Sequence, residues 1–233
     1  MNTGRAQKLK ELVKTNYQTI ADSFASTRQQ PFWPELRKLL KDVPLSGDLL
    51  DIGCGNGRLL DELKNRQLAS YTGSDLSDNL LTIARQNHQS NDFNFPVTWL
   101  SGDLLSKPQR QYQVVCCIAA LHHIPSQKLR KQAAKNLADS LANDGYLVIS
   151  VWDIWQQTKY WPELLLSFIL QIFGWLDRGD ILFHWKNNKS VGSLRYYHAF
   201  TKKELLSLFP DLKLIDFRHD RLNYYFVLQK SKN

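Results

Sequence analysis

With 233 residues, 43% of them hydrophobic and 22% charged, the chain is long enough for one soluble globular domain with a sizeable core and short for two, and it carries no repeat or low-complexity tract. Three cysteines, two of them adjacent, exclude a disulfide framework and give no zinc-ligand spacing, so no metal is expected. A net charge of +8 favours capture of polyanions without naming one, and an N-terminus lacking the apolar core of a signal peptide implies a cytoplasmic address.

From Arg5 to Phe24 the apolar residues Leu9, Leu12, Val13, Tyr17, Ile20, Ala21 and Phe24 recur at helical spacing, which predicts one or two helices across the sheet edge or over a cofactor. Pro34 suits the first turn of a helix over Glu35 to Leu40, and residues 1–45 form an N-terminal helical segment. Leu49 to Gly57 is an apolar run that ends in an acid and breaks into alternating glycines: a buried strand, a tight turn and a helix start. Gly53, Gly55 and Gly57 let a ligand reach the main chain without meeting a Cβ. The third glycine comes one residue too early for a dinucleotide turn, and Asp51 stands ahead of the first. A buried carboxylate there suits a cation carrying an amine and a sulfonium better than a diphosphate, which favours S-adenosylmethionine. After a helix from Arg58 to Asn65, the strand Tyr71 to Asp75 ends in an acid, followed by Leu76, that is placed to take both ribose hydroxyls.

Ser77 caps a helix to Asn87, Val97 to Leu100 is the third strand, and Tyr112 to Ile118 is a fourth, apolar enough for burial on both faces. It runs into Ala119-Ala120-Leu121-His122-His123, where small residues leave room for the cofactor. A histidine pair at the carboxyl end of a central strand lies where open α/β sheets place their chemistry, and one of the pair reads as structural. Ser126 caps a helix to Leu141, Asp144-Gly145 turns the chain, and Tyr146 to Trp152 is the fifth strand. Leu164 to Leu176 is apolar but only 13 residues long, where a membrane crossing needs about 20, so it reads as a lid or packing helix opened at Pro162 and no membrane partner is expected. Asp177 to Ser193 reads as loop, and residues 153–193 as an insertion forming a lid or substrate region. Leu194 to Phe200 is dense in polar aromatics, Thr201 caps a short helix to Phe209, and Leu212 to Phe217 and Tyr224 to Leu228 close the sheet. The expected fold is a single α/β domain over 1–233: a doubly wound, Rossmann-like, seven-stranded and mostly parallel sheet with the last strand antiparallel and helices on both faces.

Asp51-Ile52-Gly53-Cys54-Gly55 with an acid ending the next strand resembles the class I S-adenosylmethionine-dependent methyltransferases. That resemblance implies that Asp103, with the Leu104 amide nearby, contacts the adenine amino group, and that the cofactor lies against Tyr17, Asp51, Gly53, Gly55, Asn56, Gly57, Asp75, Leu76 and Ala119. Tyr17 to Ala21 with Phe24, Ser26, Thr27, Arg28, Trp33 and Pro34, the turn Asp51 to Arg58, Ile118 to His123, Val151-Trp152, and Arg195-Tyr196-Tyr197-His198-Ala199-Phe200 with Asp220 and Asn223 are together similar to the tRNA wobble-uridine carboxymethyl methyltransferases. This narrower resemblance implies esterification of a carboxymethyl group on tRNA, with a small zinc-ribbon activating subunit as a possible partner. It also implies that Arg28 or Arg195 holds the substrate carboxylate or a phosphate, that His122 orients the nucleophile, and that Trp152, Tyr196 and Tyr197 stack on a splayed base. Two other readings stand beside it: a small-molecule carboxylate methyltransferase, and a catalytically silent S-adenosylmethionine-binding protein.

Overall fold

The computed structural model describes residues 1–28, 30–89, 92–187 and 190–232, with the backbone alone over 185–187 and 190–193. Helices α1 (Thr3–Thr19), α2 (Ala21–Ser26) and α3 (Pro34–Asp42) precede β1 (Gly47–Ile52), α4 (Leu59–Leu63), β2 (Leu68–Asp75), α5 (Asp78–Asn87), β3 (Val97–Ser101) and β4 (Tyr112–Ile118). A 3-10 turn over Leu121–His123 leads to α6 (Gln127–Asp139), β5 (Leu141–Trp152), α7 (Trp161–Ile172), β6 (Asp180–Asn187), β7 (Ser190–His198), α8 (Lys202–Ser207), β8 (Leu212–His219) and β9 (Asn223–Lys230). Seven strands pair in the order β3-β2-β1-β4-β5-β9-β8; the first five are parallel and β9 runs antiparallel to both neighbours, as the sequence implies.

The strands carry apolar residues at consecutive positions because both sheet faces are covered. Leu50, Val115, Leu147 and Phe226 point into one core, with Leu137 and Phe209. Their neighbours Leu49, Val114, Val148 and Tyr225 point into the other, with Leu36, Leu39 and Leu60. The expected caps are in place: the hydroxyls of Ser77, Ser126 and Thr201 accept from the amides of Leu80, Leu129 and Glu204, and Pro34 opens α3.

Three expectations are corrected. Residues 177–193 are not a loop, because β6 and β7 form a separate antiparallel pair with Ile181 opposite Tyr197 and Phe183 opposite Arg195. Ile181 and Phe183 alternate inward onto Tyr160 and Tyr197, a short period-2 pattern hidden by the polar residues that follow it. Asp144 and Gly145 turn the chain inside β5 rather than ahead of it: the strand begins at Leu141, the register to β4 shifts between Tyr112 and Val114, and Asp144 takes φ +57°. Helix α4 is a five-residue turn, shorter than Arg58 to Asn65. Helix α7 packs on β6 and presents Leu165, Leu166, Phe168, Ile169, Ile172 and Phe173 outward while Ser167 is buried. No helix among the described residues is long and apolar enough to cross a membrane.

The β6–β7 pair is fastened to the main domain by a buried charge cluster. Arg130 of α6 reaches Asp180 at 3.1 Å, and Asp180 also accepts from the Tyr196 hydroxyl at 2.7 Å and pairs with His198 Nδ1 at 2.7 Å. Both Arg130 and Asp180 are sealed from solvent, so removing either charge strands the other in a low-dielectric interior. Arg130→Met is expected to lower the free energy of urea unfolding by about 3–5 kcal/mol, whereas Arg110→Met, which removes the exposed pair with Asp48, costs about 0–1 kcal/mol.

Candidate active site

The carboxyl ends of β1, β2 and β4 open into one cleft, roofed by α1 and α2. At the end of β1, Gly53 takes φ +76°, and a Cβ there would stand 2.5 Å from that of Ala120, which closes the position to every other residue. Gly55 donates its N–H to Asp75 Oδ2 at 2.8 Å, and Ser77 donates to Oδ1 at 2.9 Å, so the acid ending β2 is aimed by main-chain amides. Burial pushes the Asp75 carboxyl up while the amides of Ser77, Gly55 and Leu76 pull it down. Asp51 is buried and accepts from the Tyr71 hydroxyl at 2.8 Å. Burial raises its pKa to about 7, the Tyr71 bond opposes that rise, and the charge of Asp75 adds to it. A carboxylate so raised lacks a matching cation, and it lines a cleft floored by a main chain stripped of side chains. Those residues fit a nucleoside that carries a positive charge.

The remaining cofactor candidates divide. Tyr17, Asn56, Leu76, Leu104 and Ala119 line the cleft with Asp51, Gly53, Gly55, Asp75 and Asp103. Gly57 does not: its positive φ serves packing, since a Cβ there would meet Trp99 at 2.6 Å. Asp103 is already engaged, with Oδ2 on Lys10 Nζ at 2.8 Å and Oδ1 accepting from the Leu105 amide and the Ser106 hydroxyl. Burial works to raise its pKa, but Lys10, Ser106 and Leu105 hold it below the usual carboxylate range. Lys10 comes from α1, some ninety positions upstream, and no local motif announces it.

β4 is followed by Ala119, whose φ of +53° is held by its N–H donating to the carbonyl and hydroxyl of Ser150. The 3-10 turn that follows sends the two histidines to different duties. His123 Nε2 shares a hydrogen bond of 2.8 Å with the Tyr17 hydroxyl, and burial pushes its pKa down to about 3, against the Tyr196 backbone bond. The bond with His123 fixes the Tyr17 hydroxyl against the 3-10 turn. His122 is 1% exposed, and its Nδ1 has no hydrogen-bond partner among the described residues. Burial drives its pKa well down, so the ring is neutral at physiological pH. Its ring stacks on Tyr197 at 4.9 Å and 14°, and Tyr197 stacks on Trp152 at 5.0 Å and 28°. Tyr196 points the other way, into the Asp180 cluster, and is unavailable for a base. Arg28 lines the cleft with its guanidinium 4.7 Å above Phe24. Arg195 does not line it; buried in β7, its charge bears on Tyr17 and His123. Arg58, which the sequence offers as the end of the glycine turn and the start of the next helix but not as a site residue, lines the cleft with Arg28.

A doubly wound sheet of this order, with acids at adjacent strand ends around a bare glycine turn, defines a class I methyltransferase. The chain belongs to the methyltransferase-domain family, whose model matches residues 24–225, and it is an S-adenosylmethionine-dependent methyltransferase. It is 27% identical to the tRNA (carboxymethyluridine(34)-5-O)-methyltransferase of Schizosaccharomyces pombe over 95% of this chain and 97% of that protein. The Mus musculus protein of that activity is 34% identical over 61% of this chain, which spans only 20% of its length; the Saccharomyces cerevisiae one is 30% identical over 65% of this chain and 51% of its own. A SAM-dependent methyltransferase from Methanosarcina mazei shares the fold with TM-score 0.71 at 20% identity, covering 88% of this chain and 100% of that one.

Two outcomes test the cleft. Gly53→Ala is expected to abolish measurable S-adenosylmethionine binding in calorimetry while the protein still folds, at a cost of about 1–3 kcal/mol. Because Asp51 is largely protonated at pH 6 and ionised at pH 8, wild-type affinity for the cation should rise about tenfold across that interval, and Asp51→Asn should show no such rise. In the unliganded protein the sign is opposite. Between the ordinary carboxyl value and pH 7 the folded chain keeps a proton that the unfolded chain has lost, so stability falls with rising pH until Asp51 ionises.

Proposed function

We propose that this enzyme methylates the carboxylate of 5-carboxymethyluridine at the wobble position of tRNA, forming a methyl ester. The likeness to the Schizosaccharomyces pombe enzyme along nearly the whole of both chains carries the reading. Bound S-adenosylmethionine supplies an electrophilic methyl group on a sulfonium. The acceptor carboxylate, with a pKa near 4, is already ionised at neutral pH, so the protein need not supply a strong base. Its work is orientation and placement of charge.

The chain's own groups are suited to that work. Asp51 and Asp75 offer negative charge and ribose-binding oxygens at one end of the cleft. At the other, half-buried Trp152, backed on one face by Tyr197, provides a stacking surface for an unstacked pyrimidine, a contact worth about 1–3 kcal/mol in single-stranded recognition. His122, neutral and with a free ring nitrogen, can donate a hydrogen bond to one carboxylate oxygen and leave the other to attack. Arg28 supplies the countercharge at the rim. Arg195 acts as a positioning residue through its charge on Tyr17 and His123. A small zinc-ribbon subunit, implied by the family resemblance, is the partner to supply in the assay, and tRNA in the cytoplasm is the substrate.

Labelled methyl should pass into tRNA bearing carboxymethyluridine when the protein is assayed alone or with such a subunit. His122→Ala should lower the rate by about 10²-fold or more, and His122→Asn should restore part of it. The wild-type rate should show no histidine limb between pH 6 and 8, because burial keeps His122 neutral throughout. Labelling of small carboxylic acids with none of tRNA would overturn the assignment.

A further inference from the structure

Beside the cleft lies a groove of about 300 Å³ lined by three cations, Arg28, Arg58 and Lys159, with Trp33, Trp152 and Asn223, and no carboxylate is among its described lining residues. The cations are held by aromatic faces rather than by acids. The Arg58 guanidinium sits 4.1 Å above Phe32 and donates from Nη2 to the Pro31 carbonyl at 2.5 Å, and its Nε is buried with no hydrogen-bond partner among the described residues. Arg28 rides on Phe24 at 4.7 Å, and Lys159 Nζ stands 4.7 Å over Tyr160. The acids next to the groove are bound elsewhere. Glu62 takes Arg37 at 2.9 Å and the Phe32 amide, and Asp153 takes His219 at 2.9 Å. Positive charge is thus concentrated against aromatic walls with no carboxylate in the described lining; burial and the like charge of Arg28 work against the Arg58 cation, and the charges of Glu62 and Asp61, outside the lining, support it.

The groove's position separates it from the methyl-transfer point. It shares Arg28, Trp33, Arg58 and Trp152 with the cleft, but none of Asp51, Gly53, Asp75, His122 or Tyr197 borders it. An anion seated there is therefore a second anion, distinct from a carboxylate lying against His122. A nucleotide within a polynucleotide carries both.

Resting on the RNA reading above, we propose that Arg28, Arg58 and Lys159 form a subsite for a backbone phosphodiester adjoining the nucleotide whose base stacks on Trp152. The enzyme then recognises its target as a nucleotide in a strand, not as a free nucleoside.

Tryptophan fluorescence of Trp33 and Trp152 reads occupancy without turnover. Uridine, uridine 3′-monophosphate, uridine 5′-monophosphate and the nucleoside 5-carboxymethyluridine are titrated in saturating S-adenosylhomocysteine into wild type, Arg58→Gln and Lys159→Gln. One of the monophosphates should bind about tenfold tighter than uridine in wild type. Each substitution should erase most of that gain and leave uridine and 5-carboxymethyluridine unchanged. The subsite is overturned if both monophosphates bind no better than uridine, or if the substitutions weaken all four ligands alike. It is also overturned if they weaken 5-carboxymethyluridine alone, because the groove would then hold the substrate carboxylate. A protein that methylates carboxymethyl tRNA but shows no phosphate preference loses only the subsite; one that shows the preference but methylates no carboxymethyluridine loses only the substrate assignment.

Discussion

A buried carboxylate that no cation among the described residues pairs with governs this structure. Asp51 is held at the tip of β1 by the Tyr71 hydroxyl, in surroundings that resist its ionisation, and Asp75 faces the same space one strand away. Such an arrangement is costly for the empty protein and is relieved by a positively charged guest. The glycines between these acids are there for the same reason. Gly53 leaves no room for a side chain, and Gly55 turns its amide onto Asp75, so the guest meets oriented carboxylates and bare main chain.

The second half of the site depends on a structure that lies outside the main sheet. The strand pair β6–β7 carries Tyr197 to the carboxyl end of β4, where it is sandwiched between His122 and Trp152. What holds it there is the Arg130, Asp180, Tyr196 and His198 cluster, together with Glu204 on the far side of His198 at 2.7 Å. Burial acts to raise the Glu204 pKa, and the His198 bond and charge override it, so the cluster keeps an ionised acid at its outer end. The position of Tyr197 beside His122 and Trp152 thus draws on a buried electrostatic anchor formed in part by its own neighbours on β7, Tyr196 and His198.

How much of this the sequence discloses follows from how local each interaction is. The glycine turn, Asp75, the helix caps and the histidine pair are contained in short windows whose spacing carries their geometry, and they stand where the spacing puts them. The β6–β7 pair does not, because the alternation of Ile181, Phe183 and Trp185 is short, is blurred by Leu182 between them, and runs straight into the polar run 186–189. Missing that strand costs the correct reading of the aromatic run. Neighbours on a strand face opposite ways, so Tyr196 and Tyr197 cannot both stack on a base, and strand parity gives the cleft to Tyr197 and the core to Tyr196. Lys10 on Asp103 and Arg58 beside Arg28 are pairings between distant segments, set by packing that no single window contains.

The decisive measurement is calorimetric competition for the cleft among S-adenosylmethionine, S-adenosylhomocysteine, NADH and ATP. One equivalent of the methyl donor or of its demethylated product should be taken up and displaced by the other, with NADH and ATP giving no heat and no competition. Uptake of NADH or ATP in place of the donor would contradict the reading of Asp51, Asp75 and the glycine turn on which everything else is built.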